Sequence, residues 1–308
     1  MKGFTDKDMP NQSGRCFIVT GANTGIGYGA AKALAAHGAR VLLACRDKGK
    51  AEDAMRRIDQ VVPGADTAFL PLDQADLDSV RAAAEIASAE PRIDVLLNNA
   101  GVMFPPLTRT KQGFELQFGV NHLGTFALTA LLLPKLEQTP GSRVVVTSSL
   151  AHKRGDILWH DLNAEKSYSK ALRYGDSKLA NMLFFFELDR RLRAAGSQVA
   201  AIGCHPGVAA TELLRHSGAF KLFAPIVGLL LNTAEQGAWP ALQAATDPQA
   251  QSGDYYGPQG MGEAKGPSGH AFRTDEACDP ELSERLWDES VKLTGIDPGL
   301  APVASETA

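Results

Sequence analysis

The segment CFIVTGANTGIGYGAAKALAAHG, residues 16–38, decides the fold of this chain. It begins with apolar and β-branched residues that indicate a buried strand, and its alanine-rich end indicates a helix. Glycines fill the turn between them, and Gly38 stands directly after the helical stretch, where glycine commonly ends a helix. A strand, a short turn and a helix in this order are typical of one unit of a parallel α/β sheet.

The same pattern recurs along the chain. Short runs rich in leucine and β-branched residues, as expected of strands buried on both faces of a sheet, lie at residues 40–45, 67–72, 93–98, 143–148 and 199–204. Helical stretches cover about residues 111–137 and 170–195, whereas the glycine- and proline-rich residues 252–269 predict a loop. The sequence therefore predicts an α/β fold, namely a single doubly wound Rossmann-type domain with a mostly parallel sheet of about seven strands.

The overall composition argues against several classes of function. With 44% hydrophobic and 21% charged residues and a net charge of −4, the chain lacks the basic character that nucleic acids require of a partner. The amino terminus lacks the apolar centre of a signal peptide, and no run approaches the ~20 apolar residues that span a bilayer. The four cysteines show no C-x-x-C spacing, and the seven histidines show no metal motif. We therefore expect a cytoplasmic protein with reduced thiols, no transmembrane segment, no metal and no nucleic-acid partner.

The glycine turn predicts a dinucleotide site. Gly21, Gly25 and Gly27 follow the first strand in a G-x-x-x-G-x-G spacing. Glycines let the backbone approach a diphosphate, whose charge is stabilised by free N–H groups and the positive end of the helix dipole. A tight turn without room for Cβ atoms would also use glycine, but the position between the first strand and the first helix favours a nucleotide.

The end of the second strand indicates which nicotinamide cofactor is used. NAD-binding versions of this fold place an acidic residue there to bond the ribose 2′-hydroxyl. This strand ends instead in Cys45 and Arg46, and a guanidinium suits the 2′-phosphate of NADP in a charge-assisted contact. An ordinary surface arginine is the alternative. We predict NADP(H), with NAD less favoured.

Six segments occur in an order and at separations that resemble the short-chain dehydrogenase/reductase family over residues 14–215. They are TGANTGIG (20–27), LLNNAG (96–101), VNHLGTF (120–126), VVVTSS (144–149), YGDSK (174–178) and HPGVAATEL (205–213). Residues 42–54 and 159–181 look most like the retinol dehydrogenase branch.

The resemblance implies roles for four residues. Tyr174 is the implied proton donor or acceptor, and Lys178, four positions later on the same helix face, is its partner. Ser149, rather than Ser148, is implied to hydrogen-bond the substrate oxygen, and Asn121 to hold a water that links the lysine to solvent. Each residue also has an ordinary structural interpretation, such as a helix surface or a strand-end turn. The ordered set favours catalysis over these separate interpretations.

The resemblance also implies a set of cofactor contacts at the carboxyl ends of the strands. Asp73 among them could equally cap a helix. The set comprises Gly21, Asn23, Thr24, Gly25, Ile26, Gly27, Arg46, Asp73, Asn99, Ala100, Gly101, Tyr174, Lys178, Pro206, Gly207, Val208 and Thr211.

The substrate is expected to be apolar, because residues 213–231 supply an apolar lid with few charges. We predict a lipophilic aldehyde or ketone and its alcohol, interconverted by hydride transfer. The predicted organisation is an N-terminal extension (1–14), an oxidoreductase domain (15–295) with the lid at about 209–235, and a flexible tail (296–308). The family resemblance implies a homodimer or homotetramer.

Two alternatives stay open at this point. The first is an enzyme similar to protochlorophyllide reductase, which reduces a C=C bond with the same tyrosine and lysine. The second is a non-enzymatic NADP-binding sensor that regulates a partner. The sensor would have no need of Tyr174, Ser149, Lys178 and Asn121 together.

Overall fold

The computed structural model of the protein describes residues 3–208 and 231–303. Its centre is a sheet of eight strands in the order β3-β2-β1-β4-β5-β6-β7-β8. Neighbours from β3 to β7 are parallel, and β8 runs antiparallel to β7. The strands are β1 (Cys16–Thr20), β2 (Arg40–Cys45), β3 (Thr67–Pro71), β4 (Val95–Asn98), β5 (Arg143–Thr147), β6 (Ala200–Cys204), β7 (Tyr255–Gly260) and β8 (Lys265–His270).

Helices cover both faces of this sheet, so the predicted doubly wound fold is confirmed. The longer helices are α1 (Gly25–Ala36), α2 (Lys48–Val61), α3 (Leu77–Ser88), α4 (Leu116–Leu136), α5 (Lys170–Ala194), α6 (Ala234–Thr246) and α7 (Pro280–Thr294). One core packs α1, α2 and α6 against the sheet, and the other packs α3, α4, α5 and α7. Short 3-10 turns lie at Asp6–Asp8, Leu150–Arg154 and Glu276–Cys278.

The carboxyl ends of the strands form the functional edge of the sheet. The strand order reverses at β1, since β2 and β4 lie on its two sides. In open α/β sheets, ligands bind beyond the carboxyl ends of the strands at such a reversal. The runs predicted as strands from residue 16 to residue 204 all form, and they bring the predicted motifs to this edge.

The loop predicted over residues 252–269 is wrong, because this stretch forms the hairpin of β7 and β8. Strand β7 joins the sheet through the pairs Gly203↔Tyr255 and Cys204↔Tyr256, and both tyrosines are buried. Pro258 lies beyond the two residues of β7 that pair with β6, and β8 is the edge strand, where glycine and proline are tolerated better than in a central strand. The composition of this stretch therefore did not indicate β7 and β8, and the sheet has eight strands rather than the expected seven.

Helix α4 is the one described helix that is long and apolar enough to cross a membrane by length and composition. Its most apolar window is 89% buried inside the fold. It packs in the core between the sheet and its helical neighbours, as the central helix of a globular protein does.

Both ends of the described chain pack onto the domain. At the amino end, Phe4 pairs with Ser268 of β8 through two backbone hydrogen bonds of 2.8 and 2.9 Å. Towards the carboxyl end, Ile296 is buried and the Leu300 carbonyl accepts from Arg191 at 3.0 Å. Residues 209–230 of the predicted lid and 304–308 of the predicted tail lie outside the described residues.

The four cysteines are free thiols, as the absence of any paired spacing predicts. Cys16, Cys45 and Cys204 are buried in β1, β2 and β6, and Cys278 is half-buried. Burial raises the pKa of Cys16 to about 12, so this thiol stays protonated and behaves as a small apolar side chain.

Candidate active site

The glycine turn joins β1 to α1 at the functional edge. Gly21 has a φ of +69°, which L-residues rarely adopt. A Cβ on Gly27 would lie 2.5 Å from the Gly21 carbonyl oxygen and 2.6 Å from Asn99 Nδ2, so only glycine fits there. Asn23 precedes Thr24, the N-cap of α1. The first turn of α1, which includes Gly25 and Ile26, therefore offers unpaired N–H groups where a diphosphate can bind.

Thr20, which the sequence reasoning missed, ties this turn to the end of β4. Its hydroxyl accepts from the backbone N–H of Asn99 at 3.0 Å and of Ala100 at 2.9 Å. Asn99 Nδ2 returns a hydrogen bond to the Thr20 carbonyl at 2.9 Å. The predicted residues after β4 therefore lie directly beside the glycine turn. A polar residue that ends an otherwise apolar strand was the available signal.

Asn121 joins the segment after β4 to α5. It lies in a π-helical turn of α4, Gly119–Leu123, and is fully buried. Its Oδ1 accepts from Val102 N at 2.7 Å, and its Nδ2 donates to Ser177 Oγ at 3.0 Å. A Cβ on Gly101 would lie 3.1 Å from Asn121 Oδ1 and 3.5 Å from Lys178 Nζ. The absence of that Cβ keeps the space beside the lysine open.

Tyr174 and Lys178 lie side by side on α5. The Lys178 ammonium is 5.7 Å from the centroid of the Tyr174 ring and donates to the Thr147 carbonyl, at the end of β5, at 3.2 Å. Tyr174 is 6% exposed and Lys178 is 4% exposed. A buried ammonium next to a phenol favours the phenolate form, so this pair has the geometry of an acid and its partner.

Ser149 follows β5 and begins the turn Leu150–Arg154. Its Oγ accepts from Ala151 N at 3.2 Å, which leaves its own proton available. Ser148 is buried, and its hydroxyl donates to the Lys178 carbonyl at 2.8 Å. A Cβ on Gly175, which follows Tyr174, would lie 3.2 Å from the Ala151 carbonyl oxygen. This close approach holds the Ser149 segment against α5.

The residues after β6 form a tight turn against the β7–β8 hairpin. Gly207 has a φ of +70°, and a Cβ there would meet the Ala264 carbonyl oxygen at 2.4 Å. Val208 N donates to the same oxygen at 2.9 Å. The fully buried Asn232, which the sequence reasoning missed, donates to the Pro206 carbonyl at 3.0 Å. The predicted contact Thr211 lies outside the described residues.

His205 is hydrogen-bonded to the same turn. Its Nδ1 accepts from Gly207 N at 3.2 Å, and its Nε2 lies 3.7 Å from Glu263 Oε2. Burial lowers the pKa of His205 to about 4, so the ring is neutral at pH 7. Glu263 also pairs with Lys153 at 2.9 Å and so connects the turn to the Ser149 segment. Glu263 was missed because it lies in the stretch predicted as a loop.

Arg46 and Asp73 lie along the other half of the same edge. Arg46 is exposed and, within residues 3–208 and 231–303, makes no ion pair, whereas its neighbour Asp47 caps α2 and pairs with Lys50 at 3.6 Å. The Asp73 carboxylate accepts from Ala75 N at 2.9 Å. The N-cap of α3 is Asp76, so Asp73 does not cap that helix.

The described candidate residues thus lie at the carboxyl edge of the sheet in two groups. The glycine turn, Arg46 and Asp73 surround the ends of the first strands, where they can hold an adenosine diphosphate. Asn121, Tyr174 and Lys178 lie beyond the ends of β4 and β5, and the segment that begins with Ser149 packs against α5 beside them. The buried Tyr174–Lys178 pair could transfer a proton to a substrate bound at this edge.

Comparison with known proteins adds sequence relatives. The model of the family described as short chain dehydrogenase matches residues 15–221. Retinol dehydrogenase 11 of Homo sapiens is 41% identical over 286 residues, covering 92% of this chain and 86% of that protein. Retinol dehydrogenase 13 of Homo sapiens is 44% identical over 294 residues, covering 92% and 86%.

Solved structures share the fold. A crystal structure of a protein from Mycobacterium Paratuberculosis superposes with a TM-score of 0.81 at 39% identity, covering 97% of this chain and 100% of that chain. The active-site complex of RhlG with NADP from Pseudomonas aeruginosa has a TM-score of 0.63 at 24% identity, covering 79% and 94%. At that identity the second likeness concerns the fold alone.

Proposed function

This chain belongs to the short-chain dehydrogenase family, and from that premise we propose that it interconverts a lipophilic aldehyde or ketone and its alcohol with NADP(H). The family and its retinol dehydrogenase relatives make the protein an oxidoreductase that acts on alcohol or carbonyl groups. The observation that carries the finer proposal is the buried Tyr174–Lys178 pair beside Ser149.

The residues fit a bound dinucleotide. Gly21 and Gly27 leave a cradle that a Cβ would fill, and Gly101 leaves space next to Asn121 and Lys178. Lys178 would hold the ribose hydroxyls of the nicotinamide half, and Arg46 would meet the 2′-phosphate of NADP. The cofactor supplies the hydride when the substrate is reduced.

Three side chains transfer the proton and stabilise the negative charge that develops during the reaction. In reduction, the carbonyl carbon gains the hydride and the oxygen takes a proton from the Tyr174 hydroxyl. The Lys178 ammonium stabilises the phenolate that remains, which then recovers a proton from solvent. Ser149 donates a hydrogen bond to the substrate oxygen while that oxygen becomes negative. Oxidation of an alcohol runs through the same steps in reverse.

The substrate class rests on the apolar segment 213–231 and on the relatives. Retinol dehydrogenases are named for an apolar alcohol, and the segment offers few charges to a polar substrate. We extend the proposal to a cytoplasmic enzyme that assembles as a homodimer or homotetramer. Retinal and long-chain aldehydes are the first substrates to test.

The proposed function predicts that Tyr174→Phe removes most turnover of these aldehydes while NADPH binding stays nearly intact. The substitution deletes only the hydroxyl that donates the proton. Turnover is measured by nicotinamide absorbance, and binding by quenching of protein fluorescence.

Tyr256→Phe is the matched control, because the Tyr256 side chain lies in the core that packs α1, α2 and α6, on the other face of the sheet from α5, and its hydroxyl bonds Asp254 at 2.7 Å. Near-normal turnover in Tyr174→Phe would refute the acid/base role. Activity on charged sugars without activity on apolar carbonyls would refute the substrate class.

A further inference from the structure

Phe104 has a backbone conformation that aromatic residues rarely adopt. Its φ is +57°, in the left-handed region, and it is the one aromatic residue with a positive φ in the described part of the chain. Such a conformation persists only where the surroundings hold it in place, and these sites cluster near chemistry. Phe104 lies three residues after Gly101, within the segment that follows β4.

A buried glutamine holds Phe104 to the start of α5. Gln117 Oε1 accepts from Phe104 N at 3.0 Å, and Gln117 Nε2 donates to the Lys170 carbonyl at 3.0 Å. Gln117 is fully buried, so both bonds are costly to break. Tyr168 adds a second tie, because its hydroxyl donates to the Pro105 carbonyl at 2.8 Å. The segment after β4 is therefore bound to the first turn of the helix that carries Tyr174.

This arrangement brings the Phe104 ring into contact with the Tyr174 ring. The rings of Phe104 and Tyr174 lie 5.4 Å apart at 77°, an edge-to-face arrangement that aromatic pairs prefer. The Lys178 ammonium also lies near the Tyr174 ring, 5.7 Å from its centroid. The backbone of Phe104 is strained in the conformation that places its ring there.

We propose that Phe104 is a positioning residue for the reaction: its strained backbone, fixed by Gln117, presses its ring against Tyr174 and fixes the direction of the hydroxyl. The inference rests on the proposed function and deepens it. Proton transfer depends steeply on geometry, and a misplacement of about 1 Å can cost up to ~100-fold in rate. A looser phenol would therefore lower kcat without changing how the cofactor binds.

The test uses three variants at this position. Phe104→Ala and Phe104→Gly both remove the ring, and each should lower kcat roughly 10- to 100-fold with the NADPH dissociation constant unchanged. Phe104→Tyr keeps the ring and should keep kcat. The glycine variant should have a higher Tm than the alanine variant, because only glycine adopts a φ of +57° without strain.

Leu107→Ala is the matched control, since Leu107 is a large, 47% exposed apolar residue in the same segment. It should leave kcat unchanged. A normal kcat in Phe104→Ala, an alanine variant as stable as the glycine variant, or a loss in Phe104→Tyr equal to that in Phe104→Ala would each overturn the proposal. If Tyr174→Phe abolishes turnover while Phe104→Ala does not, the proposed function stands and only this inference fails.

Discussion

Arg46 lies exposed at the end of β2, next to the buried thiol of Cys45. Within the described residues, Arg46 forms no ion pair with an acidic side chain. Its position at the end of β2 matches that of the residue that contacts the adenosine ribose in this fold. A thiol cannot replace the carboxylate that bonds the 2′-hydroxyl of NAD. The proposed preference for NADP rests on these two residues.

Arg46→Ala should weaken NADPH binding about 10- to 100-fold and NADH binding much less, because a hydrogen bond between charged groups contributes roughly 1.5–3 kcal/mol. Adding Cys45→Asp should reverse the preference. Fluorescence titration with both cofactors measures the dissociation constants. Lys48→Ala, which removes an exposed positive charge two residues away, serves as the control. Unchanged selectivity in both variants would mean that Arg46 does not meet the 2′-phosphate.

The sequence predicted candidate residues for the chemistry but not the residues that hold them in place. Tyr174, Lys178 and Ser149 were predicted from motifs whose order along the chain is specific. Thr20 and Gln117 were missed, because a threonine in a strand or a glutamine in a helix has many ordinary roles. Their importance comes from burial and from partners distant in sequence, which spacing alone does not reveal.

Helix α7 closes the core on the face of the sheet that carries α4 and α5. Trp287 is buried with its ring 5.3 Å from Phe126 of α4 and 6.1 Å from Phe184 of α5. The Arg191 guanidinium lies 4.6 Å from the centroid of the same ring. Because α5 also carries Tyr174, α7 packs against and stabilises a helix of the candidate active site.

Trp287→Ala should lower the free energy of unfolding by about 3–5 kcal/mol, since a large buried aromatic is replaced by a cavity. Urea denaturation followed by circular dichroism measures the change. Trp239→Ala on α6 is the matched control: Trp239 is only half-buried and bonds Asp6 at 2.9 Å, so its loss should cost less. A smaller cost for Trp287 than for Trp239 would contradict the role given to α7.

The strands differ in how well the sequence predicts them. Strands β1 to β6 are rich in apolar residues, and all but β3 have a neighbouring strand on both sides, so composition indicated them directly. The β7–β8 hairpin is glycine- and proline-rich, and its stability depends on pairing with the edge of a sheet that forms from earlier parts of the chain. Local composition cannot report such long-range pairing.

The fold as a whole keeps two histidines neutral. His122 lies among α4, α5 and α7, and its Nε2 bonds Ser290 Oγ at 2.8 Å. Burial lowers the pKa of His122 from 6.5 to about 3 and that of His205 to about 4. Unfolding frees both rings to bind protons at their ordinary pKa. The unfolded state therefore gains protons, and the native state loses relative stability, as the pH falls below 6.5.

Stability should fall between pH 6.5 and about pH 4, with each of these histidines contributing up to about 1.4 kcal/mol per pH unit. Urea denaturation at pH 7 and pH 5 measures the slope. His122→Gln keeps a donor for Ser290 but cannot titrate, so its slope should be shallower than that of the parent. His270→Gln, at a 74% exposed side chain, should leave the slope unchanged. An identical slope in His122→Gln would contradict this account.

The two backbone hydrogen bonds between Phe4 and Ser268 bear on how the protein can be truncated or tagged. They place a short stretch of chain over the outer border of β8, where open N–H and C=O groups would otherwise recruit strands from other molecules. Trimming the first few residues, or fusing a bulky expression tag close to them, would uncover that border and promote aggregation. A purification tag is therefore better attached at the carboxyl terminus.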